Sequence, residues 1–283
     1  MINRRSFLAS ATQSVVGAVA LTALSRIEGQ AAKKLGPIGL QLYTVRSEMG
    51  KDFEGSLQKV AAIGYKEVEF AGYFNKSPKD VKAILDRYGL TAPSAHTPLA
   101  DLQTKLDQAI ETAKTIGHQY MICPFLMPNE RSMDDYKRHA ETFNRAGEAC
   151  RKAGIQFGYH NHDFEFDPKL GEVLPYDYLL ANTDKNLVKM ELDLYWITKA
   201  NQDPLAYMKK YPDRFAMFHV KDLDKTPKRG ITEVGQGVID FKTIFAKAPA
   251  KAIKHYLVEQ DTTPGSPFDS IKISFDYLKK LEY

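Results

Sequence analysis

The stretch YKEVEFAGYFNKSPKDVKAILDRYG, Tyr65 to Gly89, reads as one strand followed by one helix. Tyr65 to Gly72 is an apolar run of strand length. Beyond it, Ser77 stands where a helix N-cap belongs, Pro78 in the first turn, and Gly89 at the stop. Between them the apolar residues recur at helical spacing. The same unit returns on both sides. PIGLQLYTV (Pro37 to Val45) precedes FEGSLQKVAAIG, and LTAPSAHTP precedes DLQTKLDQAIETAKTIG. YMICPFL precedes a long helical segment, and IQFGYHNHDFEF precedes PYDYLLAN. LVKMELDLYW precedes DPLAYMKKY, RFAMFHVKDL leads through a Gly-rich loop to DFKTIFAKA, and KHYLVEQD precedes SPFDSIKISFDYLKKL.

Eight strand–helix pairs in about 250 residues imply an α/β fold with a closed parallel sheet, a (β/α)8 TIM barrel. An open doubly wound sheet would usually show a G-x-G-x-x-G turn after its first strand, and none is present. No linker or internal repeat interrupts residues 35–283, which read as a single domain.

The 283 residues are 43% hydrophobic and 26% charged, a globular composition. A net charge of +4 without a basic, aromatic-interleaved run gives no nucleic-acid groove. Of the two cysteines, Cys123 lies in an apolar strand-like run and Cys150 in a helical one, and both read as buried thiols. Residues 1–31 differ in kind. A basic start is followed by a small-residue apolar stretch and then Gly29 and Ala31, the pattern of a cleaved signal peptide. Arg4, Arg5, Phe7 and Leu8 match the twin-arginine export pattern, with Asn3 where Ser or Thr is usual. The expectation is a periplasmic or otherwise exported protein with no stable membrane insertion after cleavage.

In such a barrel the site lies at the C-terminal ends of the strands. Four successive runs end in His160, Asp193, His219 and Glu259. Residues at one level on adjacent strands can converge on one ion. Two imidazoles with two carboxylates suit one divalent transition ion, Mn, Co, Ni, Fe or Zn. Lys189 and Glu191, on the same strand face as Asp193, read as an interior ion pair.

These pieces resemble the sugar phosphate isomerase/epimerase group of xylose isomerase-like barrels. The resemblance rests on QLYTVR, GYKEVEFAGY, SAHTPL, GYHNHDFEF, ELDLYW, FHVKD and LVEQD, from Gly39 to Asp261. It implies a metal set ending in Asp193, His219 and Glu259. His160 stands where relatives carry a first glutamate, so it is expected either as ligand or as second acid/base. The resemblance further implies Glu259 as base, with His162 or His160 carrying the second proton. Glu69, His96, Trp196, Lys221, Gln41 and Tyr43 become candidate contacts to a small sugar or glycoside. Asp163 and Glu165 read as the start of a loop. The expected activity is a metal-dependent sugar isomerase or epimerase. A lyase acting on 3-keto-glycosides by β-elimination is the alternative, and a non-catalytic exported sugar-binding protein the third reading. The sequence leaves the oligomeric state open.

Overall fold

The computed structural model describes residues 33–167, 173–249 and 251–283. The expected leader, residues 1–31, lies outside them. Ten strands are present among the described residues: β1 (Gly39–Gln41), β2 (Glu67–Phe70), β3 (Thr91–His96), β4 (Tyr120–Cys123), β5 (Gln156–His160), β6 (Val188–Asp193), β7 (Phe215–Val220), β8 (Asp222–Leu223), β9 (Ile231–Thr232) and β10 (His255–Val258). Eight of them close a barrel in the order β1-β2-β3-β4-β5-β6-β7-β10, and β8 and β9 form a separate two-stranded sheet. Every barrel pairing is parallel, as the alternation of strand and helix predicts.

The opening stretch folds as read. Ser77 Oγ accepts from Asp80 N at 3.2 Å, and Gly89 closes the helix Pro78–Tyr88 at φ 62°, a left-handed conformation that costs glycine nothing. Two apolar stretches pass from strand into helix before they end, for the same reason. Gln41 Oε1 accepts from Tyr43 N at 2.9 Å and turns the chain into the 3-10 helix Leu42–Val45. Asp193 Oδ1 accepts from Trp196 N at 2.8 Å, so Leu194, Tyr195 and Trp196 begin the helix Leu194–Lys199. A polar side chain that satisfies a free N–H makes a helix start where hydrophobicity alone would continue a strand. The segment after β3 likewise divides into two helices, Leu99–Thr104 and Leu106–Ile116.

Side chains alternate between the helix layer and the barrel interior. Outward residues such as Phe157, Tyr159, Met190 and Phe218 join the large core against the helices. Inside, Ile122, Met217 and Leu257 form a small apolar plug against Tyr120. Gly158 leaves room for it, since a Cβ there would lie 2.6 Å from Ile122 Cδ1. No helix among the described residues is long and apolar enough to cross a membrane.

Candidate metal centre and cavity

Above the plug the interior turns polar. In the parallel register Asp193 pairs with His219 and His160 with Glu191. Glu259 follows directly on β10, its N–H donating to Val220 O at 3.3 Å. His160, Asp193, His219 and Glu259 are all buried, and one ligand atom from each lies within 4.8 Å of the others. His219 Nδ1 is 2.8 Å from Glu259 Oε2, and His160 Nε2 is 3.7 Å from Asp193 Oδ2. The four strand ends named from the sequence therefore converge.

The other nitrogen of each ring points down to a carboxylate. His160 Nδ1 lies 3.0 Å from Glu191 Oε2. His219 Nε2 lies 2.7 Å from Glu69 Oε2 and 3.1 Å from Glu191 Oε2. His96 Nε2 sits 3.1 Å from Glu191 Oε2 and 3.2 Å from Glu69 Oε2. A carboxylate accepts, so the ring nitrogen facing Glu191 carries the proton and His160 Nε2 keeps a lone pair toward Asp193. That is the arrangement in which carboxylates orient metal-binding imidazoles. His96, His160, Glu191 and His219 form a second, overlapping group of the same compactness. Its facing ring nitrogens are already engaged by hydrogen bonds to Glu191 and Glu69, whereas His160 and Glu259 of the upper group line the cavity. The upper group also contains Asp193 Oδ2, which is buried without a hydrogen bond and lies in ion-pair range of Lys221 at 3.1 Å and of His160 at 3.7 Å. The upper residues fit a divalent ion best.

The field within the cluster is strong. Burial alone would lower the His219 pKa, yet Glu191, Glu69 and Glu259 together hold it well above the usual imidazole range. His96 rises to about 9 against burial, through Glu69 and Glu191. His160 goes the other way: burial, reinforced by His219, His162 and Lys221, holds it well below the usual range and keeps the ring neutral. Burial pushes Asp193 up to about 6, partly offset by Lys221. Burial would also raise Glu259, but Lys221 and His219 outweigh it and hold it ionised. The Lys221 ammonium, itself buried, lies 2.6 Å from Glu259 Oε2 and 3.1 Å from Asp261 Oδ1.

A cavity of ≈ 710 Å³ opens above this floor, lined among others by His160, His162, Trp196, Lys221 and Glu259. His96 and Tyr43 also reach it. Asp193 and His219 are fully buried behind the lining. Gln41 and Glu69, expected among the sugar contacts, are instead fully buried beneath the floor. Gln41 Nε2 donates to Glu69 Oε2 at 2.6 Å, and the same oxygen faces His219. The expected Lys189–Glu191 pair is not formed. Lys189 Nζ donates to Asp213 O at 2.6 Å, while Glu191 turns up into the imidazoles. Position 191 signals its role only by sitting two residues before Asp193, and so sharing its face.

The GYHNHDFEF segment makes one wall. The His162 ring stacks on Phe164 with centroids 5.4 Å apart and tilts against Trp196 at 5.2 Å. Burial, then Lys221, keeps His162 neutral. Asp163 lines the cavity. Glu165 is not an ordinary loop acid. It is fully buried, accepts from His162 N at 2.8 Å and from the Tyr159 hydroxyl, and is lifted by burial to about 7. It braces the backbone that carries His162. Nothing local in the sequence distinguishes it from Asp163.

A family profile described as xylose isomerase-like TIM barrel matches residues 57–281. An inosose dehydratase of Lacticaseibacillus casei is 27% identical over 274 residues, covering 82% of this chain and 91% of the relative. One from Geobacillus kaustophilus (strain HTA426) is 24% identical over 267 residues, covering 80% and 86%. The solved structure of a sugar phosphate isomerase/epimerase from Parabacteroides distasonis ATCC 8503 superposes with a TM-score of 0.73 at 32% identity, covering 88% of this chain and 95% of that one. The zinc-bound IOLI protein shares the fold, with a TM-score of 0.66 at 14% identity, over 85% of this chain and 96% of its own.

Proposed function

This chain belongs to the xylose isomerase-like TIM barrel family, and from that premise we propose that it is a metal-dependent lyase acting on a keto-sugar by β-elimination. The observation that carries the reading is the histidine at position 160, its Nδ1 committed to Glu191 at 3.0 Å. Interconversion through opposite faces of one carbon calls for a second carboxylate base there. Elimination needs one base and one proton donor. The inosose dehydratases among the relatives support the same direction.

His160, Asp193, His219 and Glu259 would hold the ion. When bound, a Mn, Co, Ni, Fe or Zn ion supplies Lewis-acid polarisation of the carbonyl. Glu259, held ionised, accepts the proton from the carbon beside that carbonyl. The C–H electron pair becomes the new C=C bond as the C–O bond on the next carbon breaks. The departing oxygen takes a proton, which Lys221 is placed to pass on from Glu259 across 2.6 Å. His162, neutral and lining the cavity, orients the departing oxygen.

The second reading, isomerase or epimerase, is favoured by the Parabacteroides distasonis relative at 32% identity. His162 would then return the proton. Heavy water separates the two. Elimination from a 3-keto-glycoside liberates the aglycone and an unsaturated keto-sugar. Interconversion places deuterium beside the carbonyl and releases nothing. Deuterium exchange without aglycone release overturns the lyase reading. Binding with no exchange at all points to a sugar-binding protein.

Export by the twin-arginine route is a further part of this proposal, supported by Arg4, Arg5, Phe7 and Leu8. Exchanging Arg4 and Arg5 together for Lys is expected to leave precursor in the cytoplasm. Export unchanged and dependent on the general secretory channel would rule that route out.

A further inference from the structure

The cavity is deeper than its reacting floor, and its rim has a different chemistry. We propose that the mouth is a subsite for a second ring. The substrate is then an uncharged glycoside whose apolar or aromatic aglycone lies between Tyr43 and Phe125, and not a phosphorylated monosaccharide.

Tyr43 and Phe125 are 42% and 39% exposed, although most large hydrophobic residues among those described are buried. Both line the cavity. They follow β1 and β4, three places apart around a ring of eight strands, so they stand on facing sides of the mouth. Each is fixed by a guanidinium. Arg46 lies 3.9 Å over the Tyr43 ring and donates to Tyr43 O at 2.7 Å and Asp261 O at 3.0 Å. Arg131 lies 4.8 Å from the Phe125 ring and 3.4 Å from that of Phe164, and donates to Leu126 O at 2.7 Å. Pre-placed rings lose little conformational freedom when a ligand ring stacks on them.

The same contacts argue against a phosphate. Among the described residues, Arg46, Arg131 and Lys221 are the Lys and Arg side chains lining this cavity. The two arginines are turned to main-chain carbonyls and rings, and Lys221 is matched by Asp193, Glu259 and Asp261. Asp163, Glu259 and Asp261 also line the cavity, so a dianionic group would meet three carboxylates there. A volume of ≈ 710 Å³ falls within the range of about 300–1,000 Å³ that encloses multi-ring ligands. With one sugar ring on the floor beside Glu259 and Trp196, the remaining room lies at the aromatic rim.

This inference rests on the proposed function only in seating the sugar on the floor. Trp196 is the chain's single tryptophan and lines the cavity, so its fluorescence reports binding directly. The full-length chain is titrated with phenyl β-D-glucopyranoside, methyl β-D-glucopyranoside and glucose 6-phosphate. The phenyl glycoside is expected to bind roughly tenfold tighter than the methyl glycoside, the scale of one aromatic contact. Phe125→Ala should reduce that preference and leave methyl glycoside affinity unchanged, which also controls for folding, and Tyr43→Ala should reduce the preference as well. Glucose 6-phosphate should bind no tighter than the methyl glycoside. Equal affinities, a preference untouched by both variants, no response to the phenyl glycoside, or tighter binding of the phosphate each overturn the subsite. A missing elimination product with the ring preference intact counts against the reaction and not against the subsite.

Discussion

On β7, Met217 lies two residues before His219; on β10, Leu257 lies two residues before Glu259. All four point into the same barrel, one step of the strand repeat apart. The lower pair belongs to an apolar plug with Ile122 and Tyr120. The upper pair belongs to a cluster of carboxylates, imidazoles and one ammonium, most of them buried. Apolar burial below is favourable at every contact. Charge burial above is tolerated because each group has a partner, and removing one partner strands another. The lower interior thus holds the barrel closed, and the upper interior holds reactive groups in fixed protonation states.

Four substitutions probe that division, from the largest expected effect to the smallest. Glu259→Gln removes the base but keeps the shape. Turnover should fall by about 10²–10⁴-fold while the variant still folds, with stability reduced only by the weakened pairing of His219 and Lys221. A variant that loses its fold in step with its activity would break the division at once. Leu257→Ala opens a cavity in the plug and should lower unfolding free energy by about 2–5 kcal/mol. The folded fraction should still bind one divalent ion, and equilibrium denaturation with metal analysis checks both halves.

The third substitution concerns pH. Burial lifts Glu165 from 4.5 to about 7, so between those values the folded protein keeps a proton that the unfolded chain has released. The stability from this group is complete below pH 4.5 and is lost as pH rises through 7, in total roughly 3 kcal/mol at about 1.36 kcal/mol per pKa unit. Glu165→Gln should remove that slope, seen as a wild-type-minus-variant difference in denaturant unfolding across the window. A pH-independent difference would mean that the carboxyl is ionised throughout. Last, Glu191→Gln should weaken divalent-ion affinity of the folded protein by about 10–100-fold, measured by cobalt titration. Unchanged affinity would reduce Glu191 to a neighbour of the site.

How much of this was legible in the sequence follows from range. Ser77 and Gly89 act within one helix, so their roles show in adjacent letters. The ends of β5, β6, β7 and β10 were legible because the barrel brings every strand end to one face, whatever the partners. Glu69 and His219 meet across 150 positions, and no local pattern ties them. Glu165 looks like Asp163 until the Tyr159 hydroxyl and the His162 N–H are seen to converge on it. The helix that begins directly after β6 is hidden for the opposite reason. Asp193 caps a helix across three residues, and the apolar Leu194, Tyr195 and Trp196 concealed it.

That cap limits how the site can be redesigned. One oxygen of Asp193 holds the first turn of the helix that carries Trp196, and the other faces His160 and Lys221. An exchange of Asp193 for a softer ligand, made to shift the ion preference, would also release the helix start and the indole on it. His160 carries no such second duty at its backbone, and its Nδ1 contact to Glu191 is made by side chains alone. Retuning toward a harder ion, whether in the laboratory or by drift, meets least resistance at position 160.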